Sequence, residues 1–471
     1  MNTEKLDKIF AISLFGEEII LQKQEYYTNS LRNWPYGSDP QQEIKQFKEK
    51  TFLKSNNIKL IEFIIMGKQL SQSQFQEIGE TINKCSQLQI LVLNLSFNYS
   101  SFQLKSNKLA SAILQLQNTL KALKLNLANN LLDGYFCKSL VQSIGQCVHL
   151  ENLDISFRNN NLTEGIFEGF QNISNLKSLK NFNLDFSFNS NIQDSFLQIF
   201  SQIFQLESLK IFQLNLRKTN LKTNQVFYIF ENIHKLYNLE KIYFILQENA
   251  ICYNGMITIA QRFQTLNKLI ELKLDLGWAQ IDDKTCAPLI EGIMGCKSLK
   301  ILDLDLKWNS IQSIKFSQTL NLQKSIIERI NLNFRSSQMS CQCLKDILDF
   351  LSQIPFLDDL SLHLQGNPLT GDTQLIGQGI SKLKISKLSL NIEESNLNNN
   401  DIIYLLQTSS QNNTISQLYI DLRENKFDKT CLNDLAKQLA NFKNLRILNY
   451  KMQFDIKNFF KAPRLVEINS L

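Results

Sequence analysis

The sequence predicts an α/β repeat protein, a curved solenoid of strand–turn–helix units with a parallel sheet on the concave face and helices on the convex one. Three observations predict it. One leucine-rich phrase returns in a fixed frame along most of the chain. The first half of each copy alternates apolar and polar residues, and the second half spaces its apolar residues by three and four.

The phrase is clearest at Leu88-Gln-Ile-Leu91-Val-Leu93-Asn-Leu95-Ser-Phe-Asn98. Its frame recurs at Leu120, Leu150, Leu179, Leu209, Leu239, Leu269, Leu299, Ile327, Leu357, Ile385, Ile415 and Leu445, and a weaker first copy starts at Leu60. The thirteen steps between the fourteen copies are all 28–32 residues long. In the alternating half, as in Leu302-Asp-Leu304-Asp-Leu306, period two means a strand with one face buried and one wet. In the other half, Leu132, Cys137, Val141, Ile144 and Cys147 mark one buried stripe of a helix. Strands pack about 4.8 Å apart, whereas helices need roughly 8–10 Å, so the expected stack curves with its strands inside. Thirteen strand gaps give an inner arc of about 60 Å.

This phrase resembles the leucine-rich repeat family, specifically its ribonuclease-inhibitor-like class. The family's LxxLxLxxN pattern is met with one departure, because two extra residues lengthen the strand half. In Leu299-Lys-Ile-Leu302-Asp-Leu304-Asp-Leu306-Lys-Trp-Asn309 the polar residue falls ten places after the first leucine instead of eight. The expected strand is longer by one inward–outward pair, and the concave surface deeper.

Composition narrows the function classes. The chain has 471 residues, 43% of them hydrophobic, which suits a packed protein. Its formal charge of +6 comes from 50 basic and 44 acidic residues without a dense basic block, so no nucleic-acid partner is expected. The longest apolar stretches, such as Ile61–Met66 with Glu62 inside it, are too short to span a membrane. Glu4, Asp7, Glu17 and Glu18 fit neither a secretory signal nor a transit peptide. Nine cysteines without a CxxC pair suggest a reduced, cytoplasmic setting.

The recurring polar position is a structural Asn ladder: Asn98, Asn130, Asn160, Asn189, Asn249, Asn309, Asn367 and Asn425. Thr219, Ser337, Ser395 and Asp455 replace it with other hydrogen-bonding groups, and Ala279 breaks it, which suggests a local distortion of that turn. Where the chain leaves its strand, buried backbone groups need partners, and a side-chain amide can both accept and donate. Cys85, Cys147 and Cys296, like Cys137 and Cys286, fall on apolar helical slots, where a thiol packs as a small hydrophobe. Cys341 and Cys343 lack the further ligands of a zinc site. His149 and His234 are boundary residues, and His363 lies on the wet face of a strand. There is no GxxxxGK[ST], HExxH or GxSxG, and Lys68 after Gly67 lacks the rest of a phosphate loop. The expectation is a protein with no enzymatic activity, no cofactor and no metal.

On the wet strand face, an Asn/Asp-rich ladder runs from Asn94 through Asp275 and Asp305 to Asp421. Beside it a partly basic ladder runs from Ser96 through Arg158, Arg217, Lys307 and Arg335 to Arg423. Such a face is either a solvated surface of mutually neutralising charges or a docking surface, the usual use of a solenoid's concave side. Trp278 and Trp308 break the pattern at equivalent positions just after their strands, where Phe97 and Phe188 also stand. They form an exposed aromatic step or pack onto the following loop. With Asp275, Asp303, Asp305, Lys307 and Arg335 beside them, they are the candidate partner-binding residues.

Residues 1–57 lie outside the repeat and divide into an expected short helix over Leu6–Leu14 and a turn at Trp34-Pro35-Tyr36-Gly37. They are an N-terminal cap or a partner-binding arm. The solenoid is placed at 58–460 and a C-terminal cap at 461–471, where Phe459, Phe460 and Pro463 precede a possible edge strand Leu465–Ile468. The functional expectation is a non-enzymatic scaffold that binds a protein partner of unknown identity, on its concave face. Two alternatives are a regulator of an enzyme, as inhibitor or GTPase activator, and a structural subunit of a larger cytoskeletal or ciliary assembly; both rest on family analogy or on length.

Overall fold

Each alternating segment forms a short strand because its branched, apolar residues fill one side of a pleat and its polar residues the other. The structure is a computed structural model that describes residues 59–67, 69–98, 107–160, 162, 165–190, 196–317, 320–456 and 466–470. The chain divides into two units, Met1–Asn220 and Leu221–Leu471.

The first unit carries six parallel strands in chain order: β1 (Leu60–Ile64), β2 (Ile90–Asn94), β3 (Ala122–Asn126), β4 (Asn152–Ser156), β5 (Asn181–Asp185) and β6 (Ile211–Asn215). From β2 to β6 the register aligns equivalent repeat positions, with Leu91, Leu123, Leu153, Phe182 and Phe212 side by side. The first copy enters two residues earlier than expected: Ile61 lies beside Leu91 and Phe63 beside Leu93, so Leu60 pairs with Ile90 and is not the equivalent of Leu88. Phenylalanines replace leucines toward this unit's end and stack, Phe182 on Phe212 at 5.9 Å and Phe157 on Phe186 at 5.8 Å.

The second unit carries β7 (Lys241–Ile245), β8 (Glu271–Asp275), β9 (Ile301–Asp305), β10 (Arg329–Asn333), β11 (Asp359–His363), β12 (Lys387–Asn391), β13 (Gln417–Asp421), β14 (Ile447–Lys451) and β15 (Glu467–Ser470), again parallel and in order. The last strand overlaps the expected edge strand Leu465–Ile468 at Glu467 and Ile468 and runs on to Ser470, with Ile468 beside Leu448; Leu465 lies outside the described residues. Leu302, Leu304 and Leu306 are fully buried, as the inward register requires. Ladder bonds continue beyond the five-residue strands, from the Leu306 amide to the Asn333 carbonyl at 2.7 Å and from the Trp308 amide to the Arg335 carbonyl at 2.8 Å. The added inward–outward pair therefore pairs with its neighbour as strand does.

Twelve α-helices occupy the second halves of the repeats among the described residues. Side-chain caps fix the starts of six of them. Ser71 accepts from the Gln74 amide ahead of Gln72–Asn83, and Asp282 accepts from the Lys284 and Thr285 amides ahead of Asp283–Met294. The repeat beginning at Leu299 departs from the expected pattern. Between β9 and β10 the described residues hold no α-helix, only a 3-10 turn at Leu322–Lys324. The Asp283 carboxylate takes the amides of Gln312 and Ser313, and Glu291 takes that of Ser317, so carboxylates of the preceding helix replace helical carbonyls as acceptors. Phe316 from this segment stacks flat on Phe350 at 3.9 Å.

The helix expected near Leu6–Leu14, the turn at Trp34–Gly37, Lys68, Phe459, Phe460 and Pro463 lie outside the described residues. No helix among the described residues is long and apolar enough to cross a membrane.

Candidate functional site

The exit from each strand is built on a left-handed residue followed by the Asn column. In the second unit Glu248, Trp278, Trp308, Ser336, Gly366, Glu394 and Glu424 all have φ between 51° and 69°. Phe97, Asn129, Asn159, Phe188 and Lys218 have φ between 49° and 61° in the first. Among the described residues glycine holds this position only at Gly67 and Gly366, so the turn carries the cost of a left-handed L-residue, about 1–2 kcal/mol, in most repeats. Sequence reasoning missed the conformation for that reason. The only trace of it was a column rich in Lys, Glu, Ser and Asn.

The residue after it recovers the cost through hydrogen bonds. Asn367 donates from Nδ2 to the Leu364 carbonyl and to the Phe334 carbonyl of the preceding repeat, both at 2.8 Å. Its Oδ1 accepts from the Ser337 and Met339 amides at 3.0 and 2.9 Å. Asn309 and Asn425 in the second unit, and Asn98, Asn130, Asn160 and Asn189 in the first, bridge neighbouring repeats in the same way. Asn249 caps its own turn at the Leu246 carbonyl and accepts from the Leu221 amide. All eight are buried. At Ala279 the strand exit itself is unchanged, since Trp278 has the same φ as Trp308, 54°, and its amide still reaches the Lys307 carbonyl at 3.1 Å. The turn after it does differ locally: Gln280 is left-handed at φ 62°, as are Asn220, Gln338 and Asn396 after Thr219, Ser337 and Ser395, whereas Ser310 after Asn309 is not.

The left-handed turn sets Trp278 and Trp308 outside the core. They are 56% and 40% exposed and meet edge-to-face at 5.7 Å, a favourable arrangement of two ring quadrupoles. Below them Lys307 bonds Asp305 at 2.6 Å and reaches Asp275 at 3.4 Å. A side chain at Gly277 would meet the Lys307 stem at 3.0 Å, so glycine there leaves room for the lysine to lie across the strand. Lys307 Nζ and Arg335 Cζ stand 5.6 and 5.9 Å from the Trp308 ring. Asn333 donates to Asp305 at 3.0 Å and Asn331 to Asp303 at 2.9 Å. The structure thus brings Trp278, Trp308, Asp275, Asp305, Lys307 and Arg335 together, with Asp303 one pair further along its strand.

The carboxylates here are crowded. Burial raises the Asp275 pKa and Asp305 adds to the rise, against the Gly277 amide and Lys307. Burial also raises that of Asp303, opposed by Lys273 and Asn331. Burial lowers the His363 pKa, with Asp303 and Asp305 pulling it back. In the sheet His363 lies beside Asn333, and Asn333 beside Asp305. Among the described residues no group of three or more His, Cys, Asp or Glu is placed to hold a metal ion.

All nine cysteines are free, and all except Cys252 are buried. Burial pushes the thiols of Cys147, Cys296 and Cys343 up to about 12. Cys252 caps the helix Tyr253–Phe263; its slight burial is outweighed by hydrogen bonds with Thr223 and the Gly255 and Asn254 amides, which hold its thiol below the ordinary cysteine value.

No family model matches the chain, and no curated protein matches it. Among solved structures it is similar to an internalin (inlF) from Listeria monocytogenes strain 4b F2365, at 15% identity over 91% of this chain and 93% of that one, with a TM-score of 0.43. It is also similar to TLR13 in its complex with ssRNA13, at 16% identity over 87% of this chain and 64% of that one, with a TM-score of 0.40. Both are leucine-rich repeat proteins. Likenesses this distant carry no argument about function. The repeat phrase, the strand order and the Asn column match the leucine-rich repeat architecture by themselves.

Proposed function

We propose that this protein is a non-enzymatic interaction scaffold whose protein partner docks on the open sheet face of the second unit, around Trp278 and Trp308. One observation carries the reading: two adjacent tryptophans stand exposed in a turn position that five other repeats of this unit fill with Glu, Ser or Gly. Covering their exposed surface is worth about 6 kcal/mol at most, from roughly 25 cal/mol per Å². Exposed ion pairs give about 0–1 kcal/mol each, so Asp275, Asp303, Asp305, Lys307 and Arg335 chiefly orient the partner and set its on-rate.

The repeat lengths of 28–32 residues with helical returns support the ribonuclease-inhibitor-like class. Nine unpaired thiols support a reducing, cytoplasmic setting, in which the scaffold acts alone or within a larger assembly. We read residues 1–57 as an N-terminal cap or a partner-binding arm, 58–460 as the repeat region and 461–471 as a C-terminal cap.

Affinity purification from native lysate with the parent and with a Trp278→Ala/Trp308→Ala variant tests the proposal. A partner held by the parent and lost by a variant with parental circular dichroism supports it. Retention of every parental partner at parental yield sinks it and moves the site elsewhere.

A further inference from the structure

Resting on the docking face at Trp278 and Trp308, we propose that its occupant is an amphipathic helix whose apolar stripe runs from the tryptophans back to Ile245. A separate observation brings in Ile245. Every other strand of the second unit ends on a polar or charged residue, whereas β7 ends on Ile245, 37% exposed on the open face. Ile245 stands beside Asp275, and Gly277 follows two residues further along β8. The Lys307 stem lies across that glycine, its Cγ and Cε 3.0 and 3.2 Å from where a Gly277 Cβ would be. The same lysine reaches Asp275 at 3.4 Å and has its Nζ 5.6 Å from the Trp308 ring. Its stem therefore joins Ile245 to the tryptophans with methylene surface.

The charges around this path answer one another. Lys307 is shared by Asp305 and Asp275, and the surplus carboxylate of that trio is matched by Arg335, which has no ion pair of its own among the described residues and stands 5.9 Å from the Trp308 ring. Lys241 and Lys273 share Glu271 at 2.9 and 3.4 Å, and Asp303 stands beside Lys273. No net charge is left to recruit an acidic or a basic segment, so covering apolar surface is the main gain a partner finds here. The path is also short. Two residues before Ile245 the Tyr243 ring carries Lys273 Nζ at 4.9 Å, which ends it on that side.

Distance selects a helix. Ile245 and Trp278 lie on neighbouring strands, three residues apart along the sheet, or about 11 Å between Cα atoms. Residues i and i+7 of a helix share a face about 10.5 Å apart, with i+4 between them. In an extended segment, residues on one side are about 7 or 13 Å apart, so a strand that covers one end misses the other. On the helix, i covers Ile245, i+4 rests on the Lys307 stem, and i+7 enters the corner of the two rings, which meet edge-to-face at 5.7 Å.

The test is fluorescence anisotropy on the full chain with a labelled, tryptophan-free, alanine-based helical peptide. It carries leucines at i, i+4 and i+7 and equal numbers of glutamates and lysines on its other face; a twin of the same composition carries its leucines at alternate positions. The expected result is saturable binding of the helical peptide, at least about tenfold tighter than the twin. In a Trp34→Phe background, which leaves Trp278 and Trp308 as the remaining tryptophans, binding should shift their emission to the blue. Ile245→Asn, the residue that ends β10 and β12, should weaken the peptide roughly five- to tenfold with an unchanged melting curve. Gly277→Gln, which displaces the Lys307 stem, should weaken it as well. No saturable binding, equal binding of the twin, or parental affinity in Ile245→Asn overturns the proposal, and the lysate purification still judges the tryptophan step on its own. Parental affinity in a folded Trp278→Ala/Trp308→Ala variant overturns the tryptophan step and the proposal together.

Discussion

Removing the Asn309 side chain tests how much the amide column holds the repeats together. In the parent, Nδ2 donates to the Leu306 carbonyl at 2.9 Å and the Leu276 carbonyl at 3.0 Å, and Oδ1 accepts from the Ile281 amide at 2.9 Å. In Asn309→Ala the Leu306 carbonyl keeps a second partner, the Ser337 hydroxyl at 2.9 Å. The Leu276 carbonyl and the Ile281 amide lose theirs in a buried turn. A buried polar group without a partner costs about 1–3 kcal/mol, so two of them should cost about 2–4 kcal/mol after the turn relaxes. At about 2–4 °C per kcal/mol for a unit of this size, the melting temperature should fall by roughly 5–15 °C. Hydrogen exchange localises the effect, since the Ile281 amide should be protected in the parent and exchange quickly in the variant. A variant that melts with the parent and keeps Ile281 protected would refute the column's energetic role.

The reverse substitution has a reverse expectation. Ala279→Asn supplies a column acceptor for the Ile251 amide, as Asn309 does for Ile281, and should stabilise by about 1 kcal/mol, read as a higher urea midpoint. Leu304→Ala opens a cavity at a fully buried position and should cost about 2–5 kcal/mol by chemical denaturation. Asp303→Asn removes a carboxylate whose pKa burial raises above 3.8, so the folded state binds its proton more tightly than the unfolded one. The charge therefore costs stability at neutral pH, and Asp303→Asn should raise the melting temperature at pH 7 with the gain vanishing as pH falls below 3.8; a gain equal at both pH values would count against a buried charge. Under native conditions maleimide should label Cys252 first, and labelling of the other eight thiols should wait for unfolding, as peptide mapping would show.

The repeat, the strand register and the buried Asn column were legible in the sequence because each is a periodic consequence of one buried face. Period two put Leu302, Leu304 and Leu306 inside, and the fixed frame put Asn309 beside them. The chemistry of single positions was legible in type only. Trp278 and Trp308 broke a polar column, but whether they lie open or covered depends on a left-handed backbone that no residue beside them announces, since among the described residues glycine marks it only at Gly67 and Gly366. The return after β9 looked helical by frame, yet its backbone donors go to Asp283 and Glu291, carboxylates from another repeat. Arg158 and Arg217 stood 59 positions apart in the sequence, and only the parallel pairing of β4, β5 and β6 brings them to one phenylalanine ring. Periodicity within the chain determined the architecture, because burial repeats with the sequence; which charged side chains meet was decided between strands, by contacts that no single stretch of the chain contains.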